Sequence, residues 1–147
     1  MIQKIREVLK FKYTWRTYQQ QFLDGFQEHI KDEHLHVFAP PGSGKTILGL
    51  EILTRIDKPT LVLAPTLTIR NQWRSRLLEF FTTTQDFKLF SLDIKKPDFI
   101  TFSTYQSLYA LTKSFDDNGK EILVEFIKSH GIQTLVLDEA HHRKNEW

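Results

Sequence analysis

Cysteine is absent from the 147 residues. That absence excludes a disulfide framework and every cysteine-based zinc site, and it leaves the reducing cytoplasm as the expected compartment. Long apolar runs are missing too. The stretch from Thr60 to Pro65 is among the most hydrophobic, and it falls far short of the roughly 18 residues that suggest a membrane span. The first ten residues, MIQKIREVLK, mix charge with Ile2, Ile5 and Leu9 at helical spacing and carry no signal-peptide core. Excess charge is also lacking, because a net +2 is compatible with a polyanionic partner without demonstrating one. What is present is 40% hydrophobic and 26% charged residues, the balance of a globular chain with enough length for one domain and its core.

Helical and strand patterns alternate along the chain, which predicts an α/β domain with a mainly parallel sheet flanked by helices. Trp15, Tyr18, Phe22, Phe26 and Ile30 recur at three- and four-residue spacing and predict a helix over 15–31. LHVFA reads as a strand, KTILGLEILTRI as a helix apolar on more than one face, and PTLVLAP as a buried strand. Thr66 or Thr68 is placed to cap a following helix in which Ile69, Trp73, Leu77 and Phe81 fall every four residues. FKLFSL and DFITFS are shorter strand candidates around a KKP turn. KEILVEFIKSH predicts a helix ended by Gly131, and TLVL a last buried strand. Only ten residues follow Leu137, so the chain is expected to be the front part of a longer protein.

Two short stretches carry chemistry. APPGSGKT, residues 39–46, joins a strand to a helix in the pattern GxxxxGK[ST], with Ala39 in place of the first glycine. Such a loop cradles phosphates. Gly42, Ser43 and Gly44 would wrap the anion with backbone N–H groups, Pro41, which has no N–H, would line the same loop, and the following helix adds its positive end. Lys45 would reach the β- and γ-phosphates, and the Thr46 hydroxyl would ligate magnesium. The second stretch, LVLDEAHH, sets Asp138 and Glu139 where an apolar strand ends. Ligands of open α/β sheets gather at that edge. Asp138 would hold magnesium through water, and Glu139 would accept the proton of the water attacking the γ-phosphate. Lys45 and Glu139 are thus the catalytic candidates. Taken alone, the two carboxylates also suit a polar cap on a buried strand. His141 and His142 lack a third ligand pattern that would make them a zinc site.

With these motifs in hand, the chain resembles the first RecA-like domain of superfamily 2 helicases and translocases over nearly its whole length. APPGSGKT resembles motif I, alanine included, and DEAH resembles motif II. LVLAPTLTIRNQW resembles motif Ia, and TFSTYQSL the motif after it. DEAHH and WRTYQQQFL look more like the branch of type III restriction subunits and DNA-repair translocases than the DEAH-box RNA helicases. The resemblance implies ATP and Mg²⁺ as cofactors. It also implies an R-x-Y-Q adenine reader at Arg16, Tyr18 and Gln19, since a carboxamide can donate to N7 and accept from the N6 amino group. Gln19 on a solvated helix face, with Tyr18 packed, is the plainer alternative. Phe11 or Tyr13 is placed to stack on the base.

The same resemblance implies that Thr66 and Thr104 touch the phosphate backbone of one nucleic-acid strand, DNA rather than RNA. Arg70, Arg74 and Arg76 would add nonspecific attraction, or else form a solvated face. Trp73 reads as packing. In the family ATP lies between two RecA-like domains, and the second supplies an arginine finger worth about 10³–10⁵ in rate in related enzymes. This chain alone is therefore expected to be a monomer with little turnover, whose partner is the second domain of the same protein. The expected function is the motor domain of an ATP-dependent DNA helicase or translocase. A P-loop ATPase or kinase without nucleic acid, and a nucleotide-binding module without turnover, are the alternatives.

Overall fold

A computed structural model of the chain describes residues 9–29, 45–82, 90–113 and 119–138. In chain order the elements are β1 (Lys10–Phe11), α1 (Thr17–His29), α2 (Lys45–Ile56), β2 (Thr60–Ala64), α3 (Leu67–Phe80), β3 (Phe81–Thr82), β4 (Phe90–Ser91), β5 (Ile100–Thr104), α4 (Tyr105–Lys113), α5 (Gly119–Ser129) and β6 (Thr134–Leu137). The LHVFA strand and most of the glycine-rich loop lie outside the described residues. Four strands form one parallel sheet in the order β4-β5-β2-β6, and β1 pairs antiparallel with β3. The α/β architecture is the expected one.

Alternation along the strands divides the core. Val62 and Ala64 of β2, with Ile100 and Phe102 of β5, point into a cluster closed by Leu50 and Leu53 of α2 and by Trp73, Leu77 and Phe81. Leu61 and Leu63 point the other way, toward Ile94, Ile132 and the apolar faces of α4 and α5. The sheet is therefore sandwiched between helices. On its outer face α2 presents Leu48 and Ile52 to Leu23 and Phe26 of α1. A helix buried on two sides must be apolar on two sides, as its sequence is.

Several boundaries and faces differ from the sequence reading. Helix α1 begins at Thr17 and buries Gln19, Leu23 and Phe26, positions i, i+4 and i+7, so Tyr18 falls off the buried stripe and is 40% exposed. Trp15 precedes the helix and stacks on Phe11, ring centroids 3.8 Å apart. Phe81 lies just past α3, where its N–H closes the helix on the Leu77 carbonyl. TFSTYQSL contains the start of a helix, α4, that the strand and turn signals did not reveal. TLVL is a strand, but not a buried one: among the described strands β6 stands at an edge of the sheet, and alternation leaves Leu135 and Leu137 about half exposed.

Gly131 ends α5 as expected, with φ of +68°. Its N–H bonds to the Lys128 carbonyl and that of Ile132 to the Ile127 carbonyl, the paired bonds of a Schellman motif. Ile132 and Ile127 also meet in the same apolar cluster. That turn aims the chain into β6, and so sets where β6 delivers Asp138.

Candidate functional site

Strand register brings the motif residues to one edge. Ala64 pairs with Thr104 across β2 and β5, and Leu63 with Leu137 across β2 and β6. Because all three strands run parallel, Thr66, Tyr105 and Asp138 leave the sheet at the same carboxyl end. Asp138 extends the ladder by one bond, its N–H donating to the Leu63 carbonyl at 2.9 Å. The Tyr105 hydroxyl reaches the Asp138 carbonyl at 3.5 Å.

The Asp138 side chain is buried, with 3% of the residue exposed. A buried carboxylate needs donors, and one comes from a residue read as mere packing. The Trp73 indole N–H donates to Asp138 Oδ2 at 2.7 Å. The Trp73 ring also lies against α2. A Cβ placed on Gly49 would stand 2.8 Å from Trp73 Cη2 and 3.2 Å from Cζ3. Glycine is what lets the ring approach. Gly49 follows Thr46 by three residues, so it shares its side of α2. One indole thus spans from the helix that Lys45 opens to the carboxylate that ends β6. The signal for this was a tryptophan in the buried stripe, whose N–H needs a partner when buried, and an isolated glycine inside a helical pattern.

Gln19 is buried, against the plainer expectation of a solvated position. Its Oε1 accepts the backbone N–H of Arg16 at 3.0 Å, the return bond of a capping box at the start of α1. This bond orients the carboxamide. The Arg16 side chain is exposed. Phe11 is occupied by Trp15, whereas Tyr13 is 58% exposed. Thr46 is half-buried in the first turn of α2. Pro41, Gly42, Ser43, Gly44, Glu139, His141 and His142 lie outside the described residues. Among the described residues no cluster of three or more His, Cys, Asp or Glu could hold a metal.

Most of the nucleic-acid candidates are engaged locally. Thr66 caps α3, its Oγ1 accepting the Ile69 N–H at 3.1 Å. Arg70 donates to the Leu92 carbonyl at 3.3 Å and to Asn71 Oδ1 at 2.8 Å, which ties α3 to the turn after β4. Thr104 is buried, and its hydroxyl accepts the Ser107 N–H and donates to Ser107 Oγ, capping α4. Arg76 lies over the Phe80 ring and 3.9 Å from Glu79. Arg74 buries its Nε without a partner among the described residues.

The chain belongs to the family of the type III restriction enzyme res subunit, which it matches over residues 12–147. The mainly parallel sheet between helices is the RecA-like fold of that family. It is 31% identical over 130 residues to a putative DNA 3'-5' helicase Rad25 of Halobacterium salinarum, covering 86% of this chain and 19% of that protein. It is 24% identical over 139 residues to the DNA 3'-5' translocase XPB2 of Sulfurisphaera tokodaii, covering 95% and 28%. With the DNA 3'-5' helicase XPB of Mycobacterium tuberculosis the identity is 28% over 106 residues, covering 71% and 18%. The chain therefore spans less than a third of these relatives' length.

Proposed function

We propose that this chain is the ATP-binding part of the motor of a DNA helicase or translocase. The observation that carries the reading is the buried Asp138 at the carboxyl edge of a parallel sheet, bound by Trp73 to the helix that opens with Gly-Lys-Thr. The residues fit a magnesium nucleotide in kind: a helix N-terminus for phosphate, a hydroxyl at Thr46 and a carboxylate at Asp138 for a hard cation. Bound there, magnesium would offset the charge that develops on the phosphates during transfer.

This chain's own residues would divide the work. Lys45 and the backbone N–H groups of Gly42, Ser43 and Gly44, in the loop that Pro41 lines, bind the phosphates, and Thr46 and Asp138 orient the metal. Gln19, held by its cap at Arg16, reads the adenine. Glu139 takes the proton of the attacking water. Thr66 and Arg70, at the open edge of the sheet, contact the DNA backbone. Thr104 meets a strand through its backbone, since its hydroxyl is turned inward. A second RecA-like domain completes the site, and the whole protein works in the cytoplasm. No helix among the described residues is long and apolar enough to cross a membrane.

Calorimetric titration with Mg-ATP and Mg-ADP, using GTP as comparator, tests the reading. Adenine-selective binding is expected, reduced by Gln19→Ala and lost in Lys45→Ala. A folded chain that binds neither nucleotide, or binds GTP equally well, would refute it.

A further inference from the structure

Trp73 does more than fill space. A phenylalanine would supply the same apolar face against Leu50, Leu77 and Phe102, and would leave no polar atom to satisfy. The indole instead brings one N–H into the core, where the residue is 2% exposed, and spends it on Asp138 Oδ2 at 2.7 Å. The main chain of Asp138 is already fixed by its bond to Leu63. The indole bond restrains its side chain as well. A donor so close to an ionised carboxylate also lowers the cost of keeping that charge out of water.

We propose that Trp73 is a positioning residue for the metal-bound nucleotide: it fixes the Asp138 carboxylate relative to the phosphate-binding helix and so sets the affinity for magnesium. The inference rests on the nucleotide site proposed above. Three features support it beyond the bond itself. Gly49 gives up the helix-stabilising methyl of alanine, and in doing so admits the ring edge. The ring therefore has α2 on one side and Asp138 on the other. Finally, Trp73 follows Thr66 by seven residues, two helical turns, so the indole lies on the side of α3 that the cap begins. Partners that orient a metal ligand typically change metal affinity by about 10–100-fold when removed.

The test uses the whole chain, labelled with ¹⁵N at its tryptophan indoles. There are three tryptophans, Trp15, Trp73 and Trp147, and the Trp73 signal is identified by elimination in Trp15→Phe and Trp147→Phe. Titration with Mg-ADP is expected to move the Trp73 signal, and Asp138→Asn to displace it without nucleotide. Trp73→Phe is expected to keep ADP affinity in EDTA within about twofold, while the gain in affinity on adding Mg²⁺ falls by about tenfold or more. An unchanged magnesium gain in folded Trp73→Phe overturns the proposal and leaves nucleotide binding standing. Should that variant fail to fold, a Trp73 signal unmoved at saturating Mg-ADP overturns it as well. An unaltered, folded chain that binds no ADP removes the nucleotide site and this inference together.

Discussion

Replacing Gly49 by alanine sets two forces against each other, and the structure decides between them. In an open helix interior, alanine is favoured over glycine by about 1 kcal/mol. At Gly49 the new methyl would stand 2.8 Å from Trp73 Cη2. Carbon atoms are at rest at about 3.5–4.0 Å, so something must yield by close to an ångström. The ring cannot slide freely, because Trp73 is held by Asp138 and packed with Leu77. Overpacking costs about 1–3 kcal/mol, and a lost bond to a charged group about 1.5–3 more. Less the helix propensity gained, Gly49→Ala is therefore expected to destabilise by about 1.5–5 kcal/mol where the bond is lost. Gly25→Ala in α1 is the control, since nothing lies within 4 Å of its added methyl, and it should stabilise by about 0.5–1 kcal/mol. Thermal unfolding followed by circular dichroism reads both, at about 2–4 °C per kcal/mol for a domain of this size. If Gly49→Ala melts as high as Gly25→Ala, the ring is not locked and the packing argument fails.

Two local devices give further expectations. Gly131→Ala places a side chain at φ of +68°, and should cost about 1 kcal/mol in urea unfolding; a neutral result would show that the α5 turn relaxes to another geometry. Thr66→Ala removes the hydroxyl that accepts the Ile69 N–H and should cost about 1 kcal/mol, while Thr66→Ser should recover most of it. Equal losses in both Thr66 variants would place the effect in the threonine methyl rather than in the cap.

Much of the fold was legible because burial imposes a period. β2 is apolar from Leu61 to Ala64 since both its faces are covered, and α2 is apolar on two sides because it lies between the sheet and α1. The end of α5 was legible because only glycine accepts that backbone conformation cheaply. Tyr18 misled, as a tyrosine at helical spacing looks like core, whereas the stripe passes through Gln19. A buried glutamine carries no hydrophobic signal, and its burial follows from the cap it makes to Arg16. Strand order was not legible, because β4, β5, β2 and β6 share their pairing chemistry and differ only in how the crossovers run. The tie between Trp73 and Asp138 spans 65 residues, and no local pattern encodes it.

That tie changes how α3 is understood. Its sequence reads as an amphipathic helix with basic residues on its surface, a description in which the buried and exposed faces have separate duties. In the fold they are successive turns of one strut. Thr66 fixes its start at the edge where β2 leaves the sheet, Arg70 pins its second turn to the Leu92 carbonyl, and Trp73 reaches Asp138. Leu77 and Phe81 then anchor its far end in the core.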